Sequence, residues 1–534
     1  MKKILLIGPY NKKYRTGQYL APPLGIYRIK SYIEKNNLAQ VDVVDPTLNI
    51  NELYIKLKTI QYDIIGHSVL HSTIKNDLKI IFQSHKLQKK ALQIAGGQGA
   101  TFNYNTILEN TPINIIVKGF GEESLSKIIT ESMNSSKPDN NSKIDLKNDP
   151  KKYETIQGIY IKDKNNNIIS NTLTEMCFEK FRDISLSIDF EKIPYEKYWN
   201  NITKRYDEKH LKITKNQGMG KTVRLITSNY CPLGCSFCSS TNFLKTENGT
   251  KHRFISLEPT DIITLLNNAI RTHPNLEAIY FNDDNFLLNK SRTIELCDLL
   301  ENNIELHDKK NISKRKYSDI NMMCMGRVDN VDDNILKKMK QAGFKIIFYG
   351  VETFSSNLAI KIKKTRNNNY EKIAHDAILS TINAGITPQI SLMLFMPESK
   401  ESDIEITINN SVDLMEKGAI ITVFPYIEAY TGCDMIKKHK STYSDFIINN
   451  KKFHISNILL PDSKKILDLA KKSIINKEIL NETYKNIFGE NIPQPIDTLN
   501  LFKAIYNILK KDTTRIDNLL LNYVNNYIWE NNIK

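Results

Sequence analysis

Three cysteines within eight residues constrain this chain more than any other feature of its sequence. Cys231, Cys235 and Cys238 follow the spacing C-x3-C-x2-C. The apolar run Thr222–Ser228 before them predicts a buried strand. The cysteines therefore belong to the loop at the carboxyl end of that strand, where α/β folds place their chemistry. Three thiolates suit a soft centre such as zinc or an iron–sulfur cluster.

The same spacing resembles the signature of radical S-adenosylmethionine (SAM) enzymes, with the aromatic Phe237 just before the last cysteine. The resemblance implies a [4Fe–4S] cluster, with the three cysteines as its metal ligands and as catalytic residues, and SAM on the open iron. A zinc knuckle and unrelated buried cysteines are the alternatives. A structural zinc site needs four protein ligands, and neither His252 nor a C-x2-C…H-x3-H pattern provides the fourth convincingly.

Strands and helices alternate from Lys221 to about Met435, as in a parallel α/β barrel. By resemblance we expect the partial (β/α)6 barrel of radical SAM enzymes here. The six predicted strands are Thr222–Ser228, Leu276–Asn282, Asp319–Gly326, Lys345–Val351, Pro388–Phe395 and Ala419–Tyr426.

Polar residues follow several of these strands, at the rim where a barrel holds its ligands. The resemblance implies that Asp283 and Asp284 bind the SAM amino group and that Arg327 holds its carboxylate. It also implies that Glu352 contacts SAM or the substrate, and it places Phe237 in the SAM-binding set. The alternatives are loop capping for the two aspartates, a structural ion pair for Arg327 and a surface position for Glu352.

Residues 1–133 predict a second α/β region, a doubly wound (Rossmann-like) parallel sheet built from five strand–helix units. Ligands on such sheets bind outside the carboxyl ends of the strands. The predicted strands are Lys3–Gly8, Val41–Asp45, Asp63–Val69, Leu92–Gly97 and Asn114–Gly119.

This block resembles the cobalamin-binding domain in front of many radical SAM enzymes, through Pro22–Gly25, Ser68–Leu70 and Gly96–Gly97. The Asp-x-His-x-x-Gly ligand motif is missing, so His67 and His71 are interpreted as local hydrogen-bonding residues. A flavodoxin-like domain without its ligand is the alternative. The resemblance implies cobalamin contacts from Pro23, Ser68, Leu70, Gly96, Gly97, Gly119, Gly121 and Glu122.

The remaining segments complete four predicted regions: 1–135, a linker and connector at 136–220, the barrel at 221–435 and a helical C-terminal region at 436–534. Polar residues at Ser132–Lys152 indicate a surface linker. Gln157–Ile161 and Ile168–Asn171 predict a small β-hairpin. Phe181–Tyr198 is interpreted as an extended connector, and Tyr523–Trp529 as an aromatic segment packed in the core.

Composition excludes several classes of protein. With 534 residues, 40% hydrophobic and 25% charged, the chain is an ordinary globular protein that we expect in the cytoplasm. No apolar run reaches the roughly 18 residues that span a bilayer. Seven cysteines, three of them clustered, do not predict a disulfide framework. The net charge of +15 comes from dispersed lysines, which argues against nucleic-acid binding.

The two resemblances together imply a cobalamin-dependent radical SAM enzyme. The predicted reaction is C-methylation of an unactivated carbon in a small molecule or peptide, with a 5′-deoxyadenosyl radical and methylcobalamin. Cyclisation or rearrangement with cobalamin is an alternative, and a non-catalytic corrinoid or metal sensor that binds nucleic acid is an alternative of another class. A flavodoxin or ferredoxin is expected as reductant. The sequence leaves open the substrate, the lower cobalt ligand and the oligomeric state.

Overall fold

The structure is a computed structural model, and it describes residues 1–11, 21–134, 150–163, 165, 167–173, 175–205, 220–244, 253–302, 316–489 and 492–530. Most of the predicted linker and His252 lie outside the described residues, as do the side chains at the end of the Tyr523–Trp529 segment. None of the described helices is both long and apolar enough to cross a membrane.

The first sheet has seven strands among the described residues, in the order β2-β1-β3-β4-β5-β6-β7. The first five are parallel, as predicted, and β6 and β7 add to the edge in antiparallel orientation. The strands are β1 (Lys2–Ile7), β2 (Ala39–Val44), β3 (Ile64–Ser68), β4 (Leu92–Gly96), β5 (Ile115–Val117), β6 (Ile159–Lys162) and β7 (Ile168–Ser170). The predicted hairpin is therefore part of this sheet.

Helices cover both faces of the first sheet. The Asp45 carboxylate accepts a hydrogen bond from the Thr47 amide, 2.9 Å away, and Pro46 takes the first helical position. Both features start the second helix directly after β2. The helices are α1 (Leu24–Lys35), α2 (Pro46–Thr59), α3 (Ile74–Leu87), α4 (Gln98–Phe102), α5 (Tyr104–Asn110) and α6 (Gly121–Asn134).

The connector between the sheets is helical, so the prediction of an extended segment over Phe181–Tyr198 is wrong. It contains α7 (Phe178–Leu186) and α8 (Tyr195–Arg205). Two consecutive side chains of α8 contact different sheets. The Tyr198 hydroxyl donates to Asp45 after β2 at 2.9 Å, and the Trp199 indole donates to the Thr222 carbonyl at 3.2 Å. These long-range partners stabilise the helix in a way that local sequence does not reveal.

The second sheet has six parallel strands in the described residues, in the order β13-β12-β11-β10-β9-β8, which confirms the six predicted barrel strands. They are β8 (Thr222–Leu225), β9 (Ala278–Phe281), β10 (Asn321–Gly326), β11 (Phe344–Glu352), β12 (Thr387–Met393) and β13 (Ile420–Phe424). The helices between them are α9 (Ser240–Phe243), α10 (Pro259–Thr272), α11 (Lys290–Asn302), α12 (Asp333–Gln341), α13 (Ser356–Lys361), α14 (Tyr370–Asn383) and α15 (Glu401–Glu416).

The C-terminal region contains a β-hairpin that the prediction of a helical region missed. Strands β14 (Ser441–Ile448) and β15 (Lys451–Leu459) pair antiparallel. Their side chains Phe446 and Phe453 pack in one apolar cluster with Ile74 and Leu78 of α3, so the hairpin covers part of the first α/β region. The helices that follow are α16 (Lys464–Glu482), α17 (Lys485–Phe488), α18 (Gln494–Leu509) and α19 (Thr514–Glu530).

Helix α18 covers the free edge of the barrel sheet at β13. The Gln494 amide donates to the Thr422 hydroxyl and to the Ile421 carbonyl, 3.3 Å away. The Thr498 hydroxyl donates to the same carbonyl at 3.1 Å. These bonds occupy polar groups that an edge strand otherwise presents to other chains.

Candidate active site

The cysteine loop leaves β8 as a tight turn. Gly234 has φ 72°, in the left-handed region that glycine favours. The Cys238 amide donates to the Cys235 carbonyl at 3.0 Å. The Thr241 hydroxyl donates to the Cys231 carbonyl at 2.9 Å and ties the first cysteine to α9. All three thiols are partly exposed and none forms a disulfide.

The electrostatics around the thiols combine burial with one nearby cation. Burial raises the pKa of Cys231, and it raises the pKa of Cys238 to about 12. The Arg327 guanidinium places Nη1 3.6 Å from the Cys235 sulfur. The Ser240 amide also points at the Cys238 sulfur, 3.4 Å away. These groups favour thiolates once a metal replaces the protons.

Asp283 is buried, and its carboxylate is directed to the end of β8. It accepts hydrogen bonds from the Thr227 amide at 2.8 Å, the Thr227 hydroxyl at 2.9 Å and the Ser228 hydroxyl at 2.5 Å. Arg292 approaches the same group, donating to the Thr227 hydroxyl at 3.0 Å. The expected contact with the SAM amino group is therefore not supported for Asp283, because its oxygens already bind the residues that precede the cysteine loop.

Asp284 is exposed beside the cysteines. Its carboxylate accepts a hydrogen bond from the Ser240 hydroxyl in α9. It is also close enough to raise the pKa of both Cys231 and Cys238 by charge repulsion. Of the two predicted aspartates, this one faces the cysteine loop.

Arg327 follows β10 and combines a structural ion pair with proximity to the cysteines. Its Nε and Nη2 atoms lie 2.9 Å and 2.7 Å from the two Asp329 oxygens, and Nη2 also donates to the Lys364 carbonyl. Only Nη1 is directed at Cys235. The predicted contact with the SAM carboxylate stays a prediction.

Glu352 ends β11 in a backbone conformation that non-glycine residues rarely adopt, with φ 70°. A shift of register between Gly350 and Glu352 produces this turn. Burial raises the pKa of Glu352, and the Lys364 ammonium, 3.7 Å away, opposes that effect. Strain of this kind is common at functional sites, and the contact of Glu352 with SAM or the substrate stays a prediction.

Lys364 is a site residue that sequence reasoning missed. Its side chain is only 5% exposed, whereas the neighbouring Lys363 is exposed. A buried lysine requires a charged partner, and Glu352 supplies it. Nothing in the run Lys361–Arg366 distinguishes the buried lysine from the exposed ones, since the distinction comes from the turn after α13.

Phe237 is partly buried beside the cysteine loop. It packs with Met393, Met396 and Cys433 in an apolar cluster. This contact places Phe237 on the side of the loop formed by β12 and the segment after β13.

Glycines follow β4 and β5 at the carboxyl edge of the first sheet. Gly97 has φ 89°, and a Cβ atom there would lie 2.8 Å from the Val69 carbonyl oxygen. A Cβ on Gly119 would meet Leu244 of the barrel at 3.0 Å. The nearby Leu70 is 38% exposed although it is apolar. Ser68 and Gly96 end β3 and β4 at the same edge.

Three other predicted cobalamin residues lie within the packing of the first region. Glu122 is buried in an ion pair with Arg28 at 2.9 Å, so the structure does not support its expected cobalamin contact. A Cβ on Gly121 would meet Ile29 of α1 at 3.0 Å. The Pro23 ring lies 3.1 Å from the Cβ position of Gly8, where it packs the start of α1 on β1.

The two strand edges face each other across a short interface. The Ser239 hydroxyl, next to Cys238, donates to the Gln98 side chain at 3.4 Å. The rings of Phe243 and Phe102 meet edge-on with centroids 6.2 Å apart. Helix α4 of the first region therefore contacts the helix that starts from the cysteine loop.

Comparison with known proteins identifies the second region. Residues 225–410 match the family model described as the radical SAM superfamily. The barrel region therefore contains a radical SAM domain. The chain is 22% identical over 410 residues to an uncharacterized methyltransferase, PH0819, of Pyrococcus horikoshii, and the match covers 76% of this chain and 77% of the relative.

Solved structures reproduce the fold of this chain over nearly its whole length. One of these is the cobalamin-dependent SAM radical enzyme OxsB with aqua-cobalamin and SAM bound, which has a TM-score of 0.66 at 16% identity. The match covers 99% of this chain and 79% of the OxsB chain. The radical SAM methyltransferase TsrM from Kitasatospora setae has a TM-score of 0.63 at 13% identity and covers 86% of each chain. A second TsrM structure contains cobalamin and a [4Fe–4S] cluster.

The thiol donors of this radical SAM domain fit a four-iron cluster with one open iron. Three thiols share one loop, with Arg327 close to one of them. Among the described residues, no three His, Cys, Asp or Glu side chains converge on a single metal-ion position. A four-iron cluster does not require such a point, because each cysteine binds a different iron.

The first sheet offers polar and apolar groups suited to a large flat ligand. The Thr101 hydroxyl in α4 is buried without a hydrogen-bond partner, and Leu70 is exposed beside the glycine backbone. These groups lie at the carboxyl edge that carries Gly97 and fit a corrin in their chemistry. A cavity nearby, lined by Phe120, Leu173 and Leu244, has a volume of about 20 Å³, which is room for a water molecule and not for a corrin.

Proposed function

We propose that this radical SAM enzyme is a cobalamin-dependent C-methylase of a small-molecule or peptide substrate. The observation that carries the proposal is the contact between the cysteine loop and the carboxyl edge of the first sheet, through Ser239 and Gln98 at 3.4 Å. A methyl carrier on that edge would lie next to the radical site. The named methyltransferases among the relatives support the same reaction.

The cofactors supply the difficult chemistry: the cluster delivers the electron that cleaves SAM, and methylcobalamin supplies a methyl group. The chain holds and orients them. Cys231, Cys235 and Cys238 are the thiolate ligands. Arg327 places a cation beside Cys235, which offsets part of the negative charge of a thiolate cluster.

The opposite charges at the barrel rim match the two charged groups at the methionine end of SAM. Asp284 is exposed and offers a carboxylate to an ammonium group, while Lys364 offers an ammonium to a carboxylate. Glu352, paired with Lys364, fixes the direction of that ammonium. Asp283 positions Thr227 and Ser228 and so holds the start of the cysteine loop.

Apolar side chains at the rim exclude water from the reacting groups. Leu233, in the cysteine loop, is 41% exposed, and Phe424 at the end of β13 is 52% exposed. A bound cofactor or substrate would cover both. Exclusion of water protects a carbon radical from side reactions and strengthens the charge interactions at the rim.

Anaerobic purification and cluster reconstitution test this proposal. We expect about four irons per chain, one bound cobalamin, and 5′-deoxyadenosine on reduction. With SAM carrying a deuterated methyl group, the product from a cell extract should gain that methyl group. A product that forms with 5′-deoxyadenosine but gains no methyl group would replace methylation by cyclisation or rearrangement. Iron without any 5′-deoxyadenosine would contradict the radical function.

A further inference from the structure

Two lysine-rich segments, residues 361–366 and 435–440, are joined to the cysteine loop by hydrogen bonds. The Ser236 amide and hydroxyl both donate to the Ile362 carbonyl at 3.0 Å. The Met435 amide donates to the Ser236 carbonyl at 2.9 Å. Ser236 follows Cys235 directly, so both segments are connected by hydrogen bonds to the peptide next to a predicted cluster ligand.

The exposed surface of these segments is positively charged. Lys361 and Lys363 flank Ile362, and the basic residues of the second segment begin two positions after Met435. The segments also share an apolar cluster that contains Ile362 and Met435, which keeps their outer faces side by side. We call the exposed cations the basic rim: Lys361, Lys363, Arg366, Lys437, Lys438 and Lys440.

Few acidic groups offset this charge. Residues 360–369 contain no aspartate or glutamate. Asp434 lies 3.7 Å from Lys437. Glu398 and Asp462 lie 3.5 Å and 3.1 Å from the imidazole of His439. The rim therefore keeps an excess of positive charge beside the cysteine loop.

We propose that the basic rim docks an acidic one-electron donor protein of the flavodoxin type. This inference rests on the proposed radical function, which consumes one electron for each SAM that is cleaved. Clustered charge of one sign steers an oppositely charged partner and speeds its association. An acidic donor bound to the rim would lie close to Ser236, the residue between Cys235 and Phe237.

The electron balance of this step is simple. The anionic flavin hydroquinone loses one electron and becomes the neutral semiquinone without losing a proton. The electron reduces the SAM sulfonium, whose bond to the 5′ carbon breaks, and methionine leaves. The 5′-deoxyadenosyl radical then takes a hydrogen atom from a C–H bond of the substrate or, in its absence, of a buffer component, and leaves the unpaired electron there. The 5′-deoxyadenosine that forms is the product that the assay measures.

The test compares two double variants with the same change of charge. Lys361→Glu/Lys437→Glu alters one residue of each rim segment, and the control Lys471→Glu/Lys472→Glu alters exposed residues of α16. Each reconstituted enzyme forms 5′-deoxyadenosine with either a flavodoxin hydroquinone or dithionite. We expect the rim variant to lose about tenfold in rate with flavodoxin at low salt, to keep its rate with dithionite and to bind oxidised flavodoxin more weakly in calorimetry.

Several outcomes would overturn the inference. Equal flavodoxin-dependent rates in the rim variant and the control would place the docking surface elsewhere. An equal loss with both reductants would contradict the inference, because a docking surface affects only the rate with the protein donor. Salt-sensitive binding of single-stranded RNA that the rim variant abolishes would make nucleic acid the occupant. Absence of 5′-deoxyadenosine from the unmodified enzyme with dithionite would instead contradict the proposed radical function.

Discussion

The parallel strands of both sheets place functional residues at their carboxyl ends, but the two sheets differ in the residues found there. At the carboxyl ends of the barrel strands stand Arg327, Glu352 and the cysteine loop. At the corresponding edge of the first sheet stand glycines such as Gly97 and Gly119. The parallel topology thus sets where a ligand binds. The residues that follow each strand determine whether that site carries reactive side chains or mainly glycine backbone.

The sheets also differ in how their edges are closed. The first sheet ends in the antiparallel strands β6 and β7. The barrel sheet ends at β13, where Gln494 and Thr498 of α18 bind the free edge. The antiparallel strands extend the first sheet, whereas α18 ends the barrel sheet at β13.

The comparison predicts that the cysteines serve the barrel site alone. Replacing Cys231, Cys235 and Cys238 by alanine should abolish both iron binding and 5′-deoxyadenosine formation, because no thiolates remain to hold a cluster. Cobalamin binding, measured by absorbance, should persist. Cys177→Ser changes an exposed thiol outside the loop and should keep full iron content. Loss of cobalamin together with iron would break the division between the two sheets.

Breaking the buried ion pair between Glu352 and Lys364 should lower the free energy of unfolding. Lys364→Met leaves Glu352 buried without its partner, and we expect a loss of about 3 to 5 kcal/mol in the free energy of unfolding. Lys363→Met, one residue away and exposed, should change it by less than about 0.5 kcal/mol. Urea denaturation of both variants checks this. Equal small effects would show that the pair contributes nothing to the rim.

The first sheet should respond to acid through a buried histidine. His67 is bonded to Gln93 at 3.0 Å, and burial lowers its pKa to about 4 from 6.5. The unfolded chain therefore binds a proton between pH 6.5 and 4 that the folded chain excludes, so stability falls as the pH falls. The full effect is about 3 kcal/mol at pH 4. His67→Gln should lose this component in denaturation curves recorded at both pH values, and an unchanged slope would contradict it.

Two glycines of the first region, Gly97 at the sheet edge and Gly25 in α1, should respond differently to alanine. Gly97→Ala places a Cβ near the Val69 carbonyl at a positive φ, so we expect a cost of about 2 kcal/mol and weaker cobalamin binding. Gly25→Ala in α1 has nothing within 4 Å of the new Cβ and should stabilise by about 0.5 kcal/mol. Thermal unfolding and cobalamin titration separate the two. Full cobalamin affinity in Gly97→Ala would remove this edge from the proposed site.

Local patterns predicted most of the framework. The periodicity of Leu24–Lys35 gave a helix with the observed bounds, and the apolar runs located every strand of both parallel layers within a few residues. The cysteine spacing indicated the family because three ligands must come from one short loop. These features depend on neighbours in sequence, which is why they could be predicted from the sequence.

Features that depend on distant partners could not be predicted in this way. The connector helix α8 is stabilised by Asp45 and the Thr222 carbonyl, which lie in different sheets. Asp283 and Glu122 looked like ligand contacts but are used internally, by Thr227 and Arg28. The sequence shows that such side chains are polar and close to strand ends, but it does not show whether they bind a ligand or another residue of the chain.

The hairpin β14–β15 has a consequence for how the chain is made. Its side chains Phe446 and Phe453 complete an apolar cluster begun by Ile74 and Leu78. The two pairs are more than 350 residues apart in the sequence. During translation the apolar surface around Ile74 and Leu78 therefore stays exposed until the hairpin has been synthesised. A truncated chain that ends before the hairpin would keep that apolar surface exposed to solvent. Such a chain would bind chaperones instead of folding as an independent domain.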